Sequence, residues 1–152
     1  MRNWILILFI LIFLRCSNNG QEREWLLKKD SLFTSISSEH FNLYTLDGHL
    51  SKKTKLDILN KRELAYQEIS DFFLIKPNLT INIFLFKNEQ LKYNLTGHKG
   101  IGWGFENNIV EVYNDSIQMD PYHEVVDISV ILTPHFGDID PPHRKWFKEQ
   151  KA

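Results

Sequence analysis

The residues best suited to chemistry lie in the run Tyr122-His123-Glu124-Val125-Val126-Asp127. His123 and Asp127 are four positions apart, so on a helix of about 3.6 residues per turn both side chains leave the same face, with Glu124 beside them. An imidazole and a carboxylate so placed suit a metal ion, and the neighbouring carboxylate suits a base. The run differs at one position from H-E-x-x-H, in which two imidazoles hold zinc and the glutamate takes a proton from the metal-bound water. Here Asp127 takes the place of the second imidazole. Glu149, in Trp146-Phe147-Lys148-Glu149-Gln150-Lys151-Ala152, adds a carboxylate on a second predicted helix and is a candidate third ligand.

The elements that must position these groups follow from the pattern around them. Asp120 and Pro121 suit a helix start, as cap and first-turn residue. Val125, Val126, Ile128, Ser129, Val130, Ile131 and Leu132 make the predicted helix apolar nearly all round, and Pro134 ends it. Three ionisable groups near the start of a buried helix are costly unless paired with one another or with a metal. One imidazole with two carboxylates is a harder, more anionic donor set than two imidazoles, shifting preference from zinc toward manganese, iron or calcium. The shorter Asp127 also draws an ion held by His123 toward the helix axis. His135 and His143, in the loop after Pro134, supply a further imidazole only if that loop folds back.

Upstream, Phe41 to Leu46 alternates as a strand ended by Asp47-Gly48. Ser51 to Leu74 is the longest predicted helix, with Ile58, Leu59, Ala65, Tyr66, Ile69, Phe72 and Phe73 on one stripe. Leu79 to Phe86 places Ile81, Ile83 and Leu85 on one face and Phe84 and Phe86 on the other, as expected of a central strand covered on both sides. Lys87 to Leu95 is expected as a short polar helix or loop, and the glycine-rich stretch from Gly97 as a flexible loop. Trp103 to Glu106 and Ile109 to Tyr113 then form a hairpin across Asn107-Asn108. The glycines beside Trp103 and Phe105 leave backbone open on one side, which suits an edge strand that pairs with an extended peptide. The fold class expected is α+β: a small mixed sheet of four strands, packed by the long helix and the metal-site helix.

From about His40 onward the chain resembles the gluzincin-type zinc metallopeptidases, in particular the peptidase MA-like domains of bacterial envelope proteins. Those families run strand, long helix, strand, glycine-rich hairpin, H-E-x-x-H, and, after a proline-containing loop, W-F-x-E-G-x-A. The resemblance implies that His123 is the first zinc ligand, Glu124 the general base and Glu149 the glutamate ligand, with Asp127 where the second histidine stands. It implies hydrolysis of a peptide bond in a peptide or protein substrate. Gln150 departs from the family's glycine, and the helical subdomain that follows in the family has no counterpart before Ala152. The alternative reading is therefore a catalytically inactive pseudo-peptidase lipoprotein, or a remnant, that keeps the scaffold as a binding or structural module.

Arg2 precedes an apolar run from Trp4 to Leu14, too short for a membrane span of about 20 residues but suited to a signal-peptide core. Leu14-Arg15-Cys16-Ser17 resembles a lipoprotein processing site with Cys16 as the lipidated residue, an uncleaved N-terminal anchor and, last, a buried helix of a cytosolic protein being the other options. The first two readings put the chain in the cell envelope, held to the membrane by its N-terminus. The expected organisation is a leader over 1–16, a spacer over 17–38 containing a short helix, and a zincin-like domain over 39–152. The single cysteine leaves no internal disulfide, and a net charge of -1 supplies no basic field for nucleic acid.

Overall fold

The computed structural model describes residues 24–46, 48–74, 77–118 and residue 128. Their elements are α1 (Lys29–Leu32), β1 (Thr34–Ser37), β2 (Phe41–Thr45), α2 (Lys52–Phe73), β3 (Ile81–Phe86), α3 (Glu89–Thr96), β4 (Gly102–Phe105), β5 (Asn108–Val112) and α4 (Asp115–Gln118). The strands form one sheet of five in the order β1-β2-β3-β5-β4. The mixed α+β class is as expected, but the sheet has five strands rather than four.

The three inner strands β2, β3 and β5 run parallel, and β1 and β4 are antiparallel edges. Parallel neighbours need a crossover, and α2 supplies it between β2 and β3. Ser51 caps α2 by accepting the Thr54 N–H at 3.1 Å, an interaction worth about 1 kcal/mol. Leu74 closes it in the left-handed region at φ 56°, three residues before Pro77.

Alternation along each strand separates two cores. On the α2 side, Phe41, Leu43, Ile81, Ile83, Leu85 and Ile109 meet Ile58, Leu59, Ala65, Tyr66 and Ile69 of the helix. On the other side, Tyr44, Phe84, Phe86 and Val110 meet Trp25 and Phe33. The middle strand β3 therefore has apolar neighbours on both faces, and each of its fully buried side chains contributes about 1.5–3 kcal/mol of burial.

Within the stretch 17–38, the described residues from 24 onward pack on and extend the sheet. Residues 24–27 are helical. Trp25 is buried edge-on to Phe84, with ring centroids 4.8 Å apart. Thr34–Ser37 completes the sheet beside β2.

A chain of side-chain hydrogen bonds crosses the sheet. The Ser37 hydroxyl donates to Asn42 at 2.7 Å, Asn42 to Asn82 at 3.1 Å, Asn82 to Asn108 at 3.1 Å, and Asn108 to the Phe105 carbonyl at 3.3 Å. Every donor points the same way, so each amide polarises the next. Slipping any strand by one residue turns its asparagine to the opposite face and breaks the chain. This register also moves the hairpin turn. The expected turn pair was Asn107-Asn108, but Asn108 belongs to β5 opposite Phe105, and the turn is Glu106-Asn107 with Glu106 at φ 50°.

Candidate functional site

β4 is one of the two edges of the sheet. Val112 N–H donates to Ile101 at 2.8 Å, so in this antiparallel register the hydrogen-bonded pairs continue at Trp103 with Val110 and Phe105 with Asn108. Gly102 and Gly104 fall at the alternate positions, and their N–H and C=O groups point away from β5. No strand among the described residues covers that outer side.

The aromatic residues of β4 anchor it instead of facing the open edge. Trp103 and Phe105 pack on the cluster around Phe84 and Phe86. The Trp103 ring is stacked on His98 with centroids 4.1 Å apart, and the ammonium of Lys92 lies 4.6 Å from its centroid. Lys92 is buried on α3 and donates to the His98 carbonyl at 2.9 Å. Burial holds that ammonium below the usual lysine range, against the opposing pull of Glu89. The Gly100 N–H donates to Glu89 at 2.8 Å. The stretch expected to be a flexible loop is thus tied to α3 at two points, and Lys87 to Leu95 resolves into a helix capped by Asn88.

On the opposite face of β4, the missing side chain of Gly102 makes room for a buried charge. A Cβ there would meet Glu111 Cγ at 3.1 Å and the Val110 carbonyl at 3.2 Å. The sequence suggests an open backbone at this glycine, whereas the structure fills the space with Glu111. Gly102→Ala is expected to destabilise the protein by about 1–3 kcal/mol through this overpacking, read as a lower urea midpoint at unchanged slope.

Glu111 faces the α2 side, where Arg62 donates to it at 3.3 Å and the Gln118 amide at 3.0 Å. The Gln118 carbonyl oxygen accepts the Asn114 N–H at 2.7 Å, which closes α4 back onto the end of β5. Sequence reasoning overlooked this trio. Its one visible signal is a carboxylate inside the apolar run Ile109-Val110-Glu111-Val112.

The carboxyl ends of the parallel strands carry a second polar group. The His49 ring is edge-on to Tyr113 with centroids 5.7 Å apart, and the Tyr113 hydroxyl donates to Asp115. Burial, then Asp115, pushes that phenol up to about 12. Burial, then the charges of Lys87 and Lys55, hold His49 below its usual value. A base depressed in the fold is protonated more readily in the unfolded chain. His49 therefore adds no penalty above about pH 6.5 and destabilises as pH falls from there toward its folded pKa. His49→Gln is expected to flatten that part of the profile, checked by unfolding midpoints of both proteins from pH 8 to 5.

Of the expected site residues, Trp103 and Phe105 stand on the edge strand as described. Cys16, His123, Glu124, Asp127, His135, His143 and Glu149 lie outside the described residues. Ile128, directly after Asp127, is helical and fully buried in the α2-side core. Among the described residues no three metal-capable side chains converge, and no helix is long and apolar enough to cross a membrane. No family model, curated protein or solved structure matches the chain.

Proposed function

We propose that the chain is a metallopeptidase-like protein of the cell envelope that takes an extended peptide along the outer edge of β4. The observation that carries this reading is the outward backbone of Gly102 and Gly104 on a strand held rigidly from behind by Lys92, Trp103 and His98. A peptide added there gains main-chain hydrogen bonds at alternate positions, through the outward N–H and C=O groups of Gly102 and Gly104. The element order supports the peptidase resemblance: strand β2, long helix α2, strand β3, hairpin β4-β5, then a buried helical residue at Ile128.

On this reading His123, Asp127 and Glu149 hold the metal, and their donor types fit zinc, with the two carboxylates also accommodating harder ions. A bound ion supplies Lewis acidity and an acidified water. Glu124 takes the proton from the attacking water and returns it to the leaving amine. The edge strand aligns the scissile bond. Attachment to the membrane is through lipid on Cys16 or an uncleaved N-terminal anchor. A pseudo-peptidase that binds peptide without cutting it is the second reading, favoured by the replacement of an imidazole by Asp127.

Hydrogen exchange of the full chain in detergent micelles, with and without denatured casein, tests the edge directly. Peptide addition is expected to slow exchange at Gly102 and Gly104 and leave Trp103, whose N–H already faces β5, unchanged. Equal exchange at both glycines under saturating casein would remove the reading. Cleavage of the casein separates the active form from the binding form.

A further inference from the structure

The geometry points to a second cation site at His40, independent of the peptide edge, which takes a divalent transition-metal ion through His40 Nε2 and the Glu39 carboxylate. His40 ends the connection between β1 and β2 and faces α2 across an open cavity of about 550 Å³ lined by Glu39, Asn60, Glu63, Tyr66 and Gln67. Glu63 grips the residue twice. One carboxylate oxygen accepts the His40 backbone N–H at 2.8 Å, and the other lies 2.7 Å from ring Nδ1. The ring is also stacked on Tyr66, with centroids 4.0 Å apart and planes 19° from parallel. Tyr66 is itself fixed, its hydroxyl donating to the Pro77 carbonyl at 2.6 Å.

This arrangement sets the tautomer. An ionised carboxylate only accepts, so Nδ1 carries the proton and the lone pair of the neutral ring is on Nε2. A carboxylate behind the distal nitrogen is the support that metal-binding histidines use to fix ring orientation and raise basicity. Glu39 Oε1 lies 3.9 Å from Nε2. Two ligands on one tetrahedral ion stand roughly 3.4 Å apart at bond lengths near 2.1 Å. Glu39 is 83% exposed, and a small turn of its side chain closes the difference. The imidazole favours zinc, copper or nickel over calcium and magnesium, and water or the cavity amides of Asn60 and Gln67 complete the shell.

The test is a Cu²⁺ titration of the full chain in detergent micelles, read as paramagnetic broadening of individual amide signals. Saturable broadening centred on Glu39, His40 and Tyr66 is expected, abolished by His40→Ala. Glu39→Gln, at an exposed position that does not threaten the fold, is expected to weaken it severalfold. Glu63→Gln places an amide behind the ring in place of an obligate acceptor and is expected to weaken binding at least tenfold. Broadening absent from this group overturns the proposal. So does broadening of equal strength at His49 and His98 and insensitive to Glu63→Gln, which is the signature of adventitious binding to any imidazole.

Discussion

Glu111→Ala is expected to cost about 2–3 kcal/mol of stability, because it removes the buried carboxylate that accepts from both the Arg62 guanidinium and the Gln118 amide. Arg62 has no exposed side-chain surface and Glu111 only 7%, so water cannot replace the lost partner cheaply. The Gln118 amide loses its acceptor in the same change, which loosens α4 at the point where the chain leaves the sheet. Replacing both charges, as Arg62→Met with Glu111→Leu, removes both ends of the pair together and should recover part of the loss. A double-mutant cycle by urea unfolding checks this. Near-additive losses would mean that the two charges do not depend on each other.

Phe84→Ala is the other large effect, expected at about 3–5 kcal/mol. The ring is fully buried. It is stacked on Tyr44 at 4.7 Å and met edge-on by Trp25 at 4.8 Å and Phe33 at 5.5 Å. Its removal opens a cavity between rings that come from three separate stretches of chain, so local collapse cannot refill it. The same variant reports on the N-terminal part of the domain. Trp25 loses its nearest aromatic partner, and its fluorescence is expected to shift to the red before global unfolding. A loss below 1 kcal/mol with unchanged emission would show that residues 24–33 do not depend on this face.

The two-sided pattern of β3 was legible because burial on both faces of a middle strand leaves an apolar residue at nearly every position. The long helix was legible from its stripe, although that stripe concealed Arg62, which reads as a solvated charge until Glu111 is placed opposite. β1 could not be read from Thr-Ser-Ile-Ser, because an edge strand with little buried side-chain surface has no alternation to display. Trp25 and Phe33 were obscured by the charges between them. The hairpin turn slipped by one residue because asparagine favours turns and is uncommon in strands, and only the partners Asn42 and Asn82 draw Asn108 into the ladder. At the candidate site the edge strand was anticipated with its aromatics, but the glycine's role was not. Gly102 accommodates a carboxylate nine positions later in the chain, a relation that spacing alone does not reveal.

Zinc titration of the full chain carrying His40→Ala, after dialysis against a chelator, tests the central claim most directly. The account predicts one equivalent bound saturably, retained in this background and lost when His123→Ala is added. A folded protein that binds no zinc, or binds it equally with His123 removed, would contradict the metallopeptidase-like reading.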